Sequence, residues 1–162
     1  MKKFLTYLTL IILIVLQTTL FPHLRIMGVI PNLVLVFAVC YSMYADPVPA
    51  TVFAIAAGFL FDVYQASNIG FNSIMMMYIG LGLSCLTSGY VKSNIFTVLI
   101  CVGVTTLVYE CIYAFLLYFI FGKLTAATMW SVVSLEAVYN MAVAAALMWW
   151  AKYLGEDEVR GF

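Results

Sequence analysis

Charge is what this sequence has least of. Only 9% of its 162 residues are Asp, Glu, Lys or Arg, against 66% hydrophobic, and its mean hydropathy is +1.12. A soluble domain carries about 25% charged residues, so this chain cannot cover its surface with polar groups, and its expected solvent is lipid. Seven Lys/Arg balance seven Asp/Glu, which leaves neither a nucleic-acid footprint nor an acidic partner surface. Histidine is scarcer still, with His23 alone. That excludes paired haem ligation, a histidine-assisted nucleophile and a zinc cluster. Cys40, Cys85, Cys101 and Cys111 lie in apolar runs without C-x-x-C or ligand spacing, and read as small buried hydrophobes. There is no G-x-S-x-G, no paired-Asp metal motif and no Gly-rich phosphate loop; Gly80 and Gly82 sit in an apolar run, unlike a dinucleotide fingerprint. The reading is a non-enzymatic protein with no cofactor and no metal.

What is present is apolar length. A membrane helix needs about 20 apolar residues. Charges, Pro and Gly divide the chain into six spans, about 4–21, 30–45, 48–64, 70–90, 94–121 and 127–151, in a single polytopic domain. The first follows Lys2 and Lys3 like a secretory signal, but it is long and no A-x-A pattern follows, so it reads as a retained helix. Spans two and three are short and joined by Asp46-Pro47-Val48-Pro49, which leaves a re-entrant hairpin as the competing reading. Lys2, Lys3, Lys92, Lys152 and Arg160 fall on one side of a six-span topology and Arg25 and Lys123 on the other, predicting both termini in the cytoplasm. Tyr44, Tyr90, Trp149, Trp150 and Tyr153 would then form the inner aromatic belt, and Tyr64 and Trp130 the outer one. The acidic Glu156-Asp157-Glu158 reads as a short solvated end.

In lipid, helices associate through close backbone approach and polar contacts, so small residues mark interfaces. Span three carries Ala50, Ala54, Gly58 and Asp62, and span four Gly80, Ser84 and Ser88, each four apart on one stripe. These stripes fit packing within the bundle or a partner helix. An acid at the bilayer centre costs about 2.5–3.5 kcal/mol, so Asp62, Glu110 and Glu136 should face the bundle interior and find partners. Asp62 ends span three near the outer surface, close to Asn68 and Asn72, and is expected to hold the following turn by accepting hydrogen bonds. Glu110 continues a polar edge of Gly103, Thr106 and Tyr113; Glu136 and Asn140 lie one turn apart on span six. Counted from the outer ends at about 1.5 Å per residue, the two glutamates lie roughly 16 and 14 Å deep, near mid-membrane. Interhelical hydrogen bonding is the plainer role for them and a proton or ion relay the sharper one. If they meet, both cannot ionise cheaply, and Tyr109, Tyr113 or Asn140 are the expected partners.

Pro31-Asn32-Leu33 at the start of span two, Gly58-Phe59-Leu60-Phe61-Asp62 at the end of span three, and Gly70-Phe71-Asn72 at the start of span four follow one another in order. This series, with the Lys-bearing first span and the near absence of soluble loops, resembles the MreD family of rod-shape-determining membrane proteins. The resemblance implies a non-enzymatic scaffold of the bacterial cell-elongation and peptidoglycan-synthesis machinery in the cytoplasmic membrane. It implies MreC as partner, with MreB, RodA and a class B penicillin-binding transpeptidase in the same assembly. On it, Asp62, Gly58, Ala54, Gly70, Asn72, Pro31 and Asn32 are candidate binding or structural residues, beside the intramembrane Glu110, Glu136 and Asn140. The family is also similar to S-components of energy-coupling-factor transporters, which share a compact bundle of six transmembrane helices. That gives the alternative, a small-molecule-binding subunit of a vitamin transporter, although the long loops that cap such pockets are missing here.

Overall fold

The computed structural model is all-α. It describes residues 2–25, 27–65, 70–87, 94–121 and 126–155, without the side chains of 2, 65, 117–121 and 126–132. Six α-helices follow in order among these residues: α1 (Lys2–Thr19), α2 (Leu33–Ser42), α3 (Pro47–Gln65), α4 (Phe71–Thr87), α5 (Ile95–Phe121) and α6 (Ala126–Gly155). A short 3-10 turn, Phe21–Leu24, follows α1. Three helices are long and apolar enough to cross a membrane, over Pro47–Tyr64, Ile95–Leu116 and Val133–Gly155. The third span, expected to be short, is therefore one of the three long ones.

Polarity is distributed inside out. Phe4, Ile100, Phe115, Val138 and Trp149 are all more than half exposed, while Asn32, Asp62, Asn72, Ser84, Thr106 and Asn140 are buried. Water would penalise so large an apolar surface, whereas lipid tails accept it. The interior polar groups then supply the contacts that hydrophobic burial cannot supply in a bilayer.

At the centre lies α2, whose ten residues are all buried. Its sequence, LVLVFAVCYS, is apolar on every side, as a helix enclosed by others must be. All five other helices touch it. Phe37 meets Phe53 of α3 edge-on, with centroids 5.6 Å apart, and Tyr41 lies 4.6 Å from the same ring. Ten residues rise about 15 Å, half of a hydrocarbon core about 30 Å thick. The expected span 30–45 is thus helical only over Leu33–Ser42, because Val29 to Asn32 enter as non-helical chain, buried except for the half-buried Ile30. Such backbone is tolerated at membrane depth when protein surrounds it and satisfies it.

The small-residue stripes meet each other. A Cβ on Gly58 would lie 2.5 Å from the Asn72 carbonyl oxygen; on Gly80 it would lie 2.6 Å from the Ala54 Cβ and 3.1 Å from the Ala50 carbonyl oxygen. The buried face of α4 is Asn72, Met76, Gly80 and Ser84, four apart, laid along the stripe of α3. These surfaces are consumed within the bundle and are not open to a partner helix. Ser88 lies outside the described residues. At the α6 C-terminus, Gly155 approaches Tyr44, where an added Cβ would come within 2.7 Å of the Tyr44 Cβ. Tyr44 is consequently buried rather than part of an exposed aromatic belt. Trp149, Trp150 and Tyr153 are exposed at that end of α6, as is Tyr64 at the other end of the bundle; Tyr90 and the Trp130 side chain are outside the described residues.

Candidate functional site

Polar residues gather in the half of the bundle that holds the C-termini of α1 and α3 and the N-terminus of α4. The first group is built on Asp62, in the last turn of α3 and only 1% exposed. One carboxylate oxygen accepts from the Gly70 N–H at 3.0 Å, the Ser73 N–H at 3.0 Å and the Ser73 hydroxyl at 2.8 Å; the other accepts from the Asn72 N–H at 3.1 Å. A helix leaves its first N–H groups without intrahelical acceptors. Here the preceding helix satisfies three of them, and its negative charge lies at the positive end of the α4 dipole. Gly70 adopts φ +100°, the left-handed region open to glycine, and this aims its N–H back at Asp62. Gly58, one turn below Asp62, brings the α4 backbone close enough for these bonds to form. Asn72 then accepts from the Tyr109 hydroxyl of α5, so the Asp62 group reaches a third helix. Asn68 lies outside the described residues.

The second group secures the start of α2. Asn32 caps that helix, its side-chain oxygen accepting from the Leu35 N–H at 3.0 Å. Its own backbone N–H donates to the Asn140 side-chain oxygen of α6 at 2.8 Å, and the Asn140 amide donates to the Thr106 hydroxyl of α5 at 3.1 Å. Gln17 of α1 accepts from the Val34 N–H at 3.2 Å. Helices α1 and α6 therefore hold the end of α2 directly and α5 through Asn140, with Pro31 buried just before it. Asn140, fully buried, serves Asn32 and Thr106 instead of Glu136.

The third group is Glu110 of α5 and Glu136 of α6, both half-buried. Both line a cavity of about 410 Å³ with Gln17, Arg25, Asn32, Tyr109 and Tyr113. No cluster of three or more metal-binding side chains occurs among the described residues.

The order Pro31-Asn32, Gly58…Asp62, Gly70…Asn72 thus corresponds to two connected caps that fix α2 and α4. A family model described as rod shape-determining protein MreD matches residues 1–156. The chain belongs to the MreD family. No curated protein and no solved structure matches it. The MreD match covers nearly the whole chain, including α5 and α6, for which the sequence offered no motif.

Within this MreD-family bundle, Ala54, Gly58, Asp62, Gly70 and Asn72 come together at the α3–α4 contact, and Asn32 joins Asn140. The cavity that the two glutamates line also borders both caps, through Asn32 and Gln17 of the one and through Tyr109, which bonds Asn72, of the other. Sequence reasoning missed Ser73, Gln17 and Arg25. Gln17 is the only amide side chain in α1, and Ser73 occupies the first turn of α4; either position was a legible signal.

Proposed function

We propose that this MreD-family protein is a non-enzymatic scaffold of the cell-elongation machinery, a single polytopic domain of the bacterial cytoplasmic membrane with both termini inside. Its role is to bind MreC beside MreB, RodA and the class B penicillin-binding transpeptidase. The observation that carries this reading is the family match over residues 1–156, which makes the chain a rod-shape-determining membrane protein. The bundle supports it in a specific way. Its polar residues are largely engaged in fixing helix ends, as a rigid platform requires, and its outward surface is apolar. Because the α3 and α4 stripes are occupied by one another, a partner helix would use the remaining lipid-facing surface.

The S-component-like reading is favoured by one observation, the cavity of about 410 Å³ at the end away from the α6 C-terminus. That volume falls in the range of roughly 300–1,000 Å³ usual for small-molecule sites. Co-purification distinguishes the two functions. With tagged MreC as bait in mild detergent, this protein should co-elute; its absence from the eluate, with both proteins folded, would count against the scaffold reading. A vitamin in the same preparation would favour the alternative.

A further inference from the structure

The cavity combines features that a packing defect would lack. Its lining includes the carboxyl groups of Glu110 and Glu136, the rings of Tyr109 and Tyr113, and Arg25. The tyrosine rings are stacked, with centroids 6.4 Å apart and planes 7° from parallel. Both glutamates are half-buried, so their oxygens border open space; Arg25 is exposed and lies at the mouth. Asn140, the nearest amide on α6, is already engaged, which leaves the acids facing the cavity with acceptor capacity unused. Two carboxylates offer about eight lone-pair sites.

We propose that this cavity is a binding site for a small zwitterion, in which a primary ammonium is followed by a phosphate or carboxylate. The ammonium's three N–H groups bridge Glu110 and Glu136, with the adjoining tyrosine faces favouring a cation. The anionic group turns towards Arg25 at the mouth, where guanidinium forks suit phosphate or carboxylate oxygens. Opposite charges of the ligand thus meet opposite charges of the lining. Two sources share this chemistry: the ethanolamine phosphate headgroup of a lipid, and a free solute such as phosphoethanolamine. The site requires no transport, and the scaffold reading stands or falls separately from it.

The test uses the purified full chain. Native mass spectrometry and thermal melts would be recorded with phosphoethanolamine in lipid-free micelles, and in nanodiscs of phosphatidylethanolamine with phosphatidylglycerol or of phosphatidylglycerol alone. Binding from solution assigns a soluble ligand; binding only in the phosphatidylethanolamine discs assigns the lipid headgroup; either supports the site. E110Q/E136Q should weaken binding at least tenfold, and R25Q should weaken phosphoethanolamine more than ethanolamine. Should the double variant fail to fold, E110Q and E136Q are measured singly, with several-fold weakening expected of each. Phosphocholine, whose quaternary nitrogen has no N–H, should bind at least tenfold more weakly. No binding of either source to the native chain, unchanged affinity in the glutamate variants, or equal binding of phosphocholine would overturn the proposal.

Discussion

Replacing Asp62 by leucine removes the acceptor of four hydrogen bonds in a position only 1% exposed. The Ser73 hydroxyl can rotate to another acceptor, but the Gly70, Asn72 and Ser73 N–H groups cannot. Each buried donor left unpaired costs about 1–3 kcal/mol, so the three together cost roughly 3–9 kcal/mol. Against a total stability of about 5–15 kcal/mol, that is enough to unfold the protein or nearly so. Asparagine is a finer test. Its amide oxygen can take the position that receives three bonds, but its NH2 group then confronts the Asn72 N–H, a donor against a donor. From sequence alone the asparagine variant is expected to be mild; an environment made only of donors raises its cost to about 1–3 kcal/mol. At roughly 2–4 °C per kcal/mol for a chain of this size, Asp62→Asn should lower Tm by about 2–12 °C. The assay is thermal unfolding followed by tryptophan fluorescence in one detergent, with expression level recorded for both variants. A leucine variant melting with the native protein, or an asparagine variant as damaged as leucine, would refute the acceptor argument.

Three further outcomes are open to measurement, two drawn from packing and hydrogen bonds and one from the distribution of positive charge. Gly58→Ala should lower stability by about 1–3 kcal/mol through overpacking against the α4 backbone, whereas Gly82→Ala, whose Cβ would meet nothing within 4 Å, should be neutral or slightly stabilising in the same melts. Asn140→Leu should cost about 1–3 kcal/mol for the Asn32 N–H it leaves unpaired, and an unchanged Tm would remove Asn140 from the account of α2. Reporter fusions after Lys92 and Phe162 should read cytoplasmic and a fusion after Lys123 periplasmic; a periplasmic C-terminus would overturn the six-span topology.

Much of the fold was legible because apolar length and punctuation are strong signals. Pro47 and the charges around the short turns mark five of the six helices to within a few residues. The α3–α4 contact was legible too, since residues four apart must share a face, and Ala54, Gly58 and Gly80 announce close approach. Helix rotation was hidden where a helix is apolar all round. In α5, hydrophobic periodicity gives no inward direction, so the engagement of Thr106 with Asn140 and of Tyr109 with Asn72 could not be read. The length of α2 was obscured for a related reason: Val29 to Pro31 are as apolar as the helix they precede, yet Pro31 lacks an N–H and Asn32 caps the chain there. The stripes fitted either bundle packing or a partner helix, and they serve the bundle itself. Polar atoms at the α4 N-terminus were foreseeable in kind, from one acid placed eight residues before a glycine, but their number followed only from geometry.

If this MreD-family protein determines rod shape as a membrane scaffold, the decisive measurement is its depletion from rod-shaped cells, with cell width and growth on defined medium recorded together. Cells should widen and round, and no added vitamin should restore them. Rods of normal width that have become dependent on one vitamin would contradict the account.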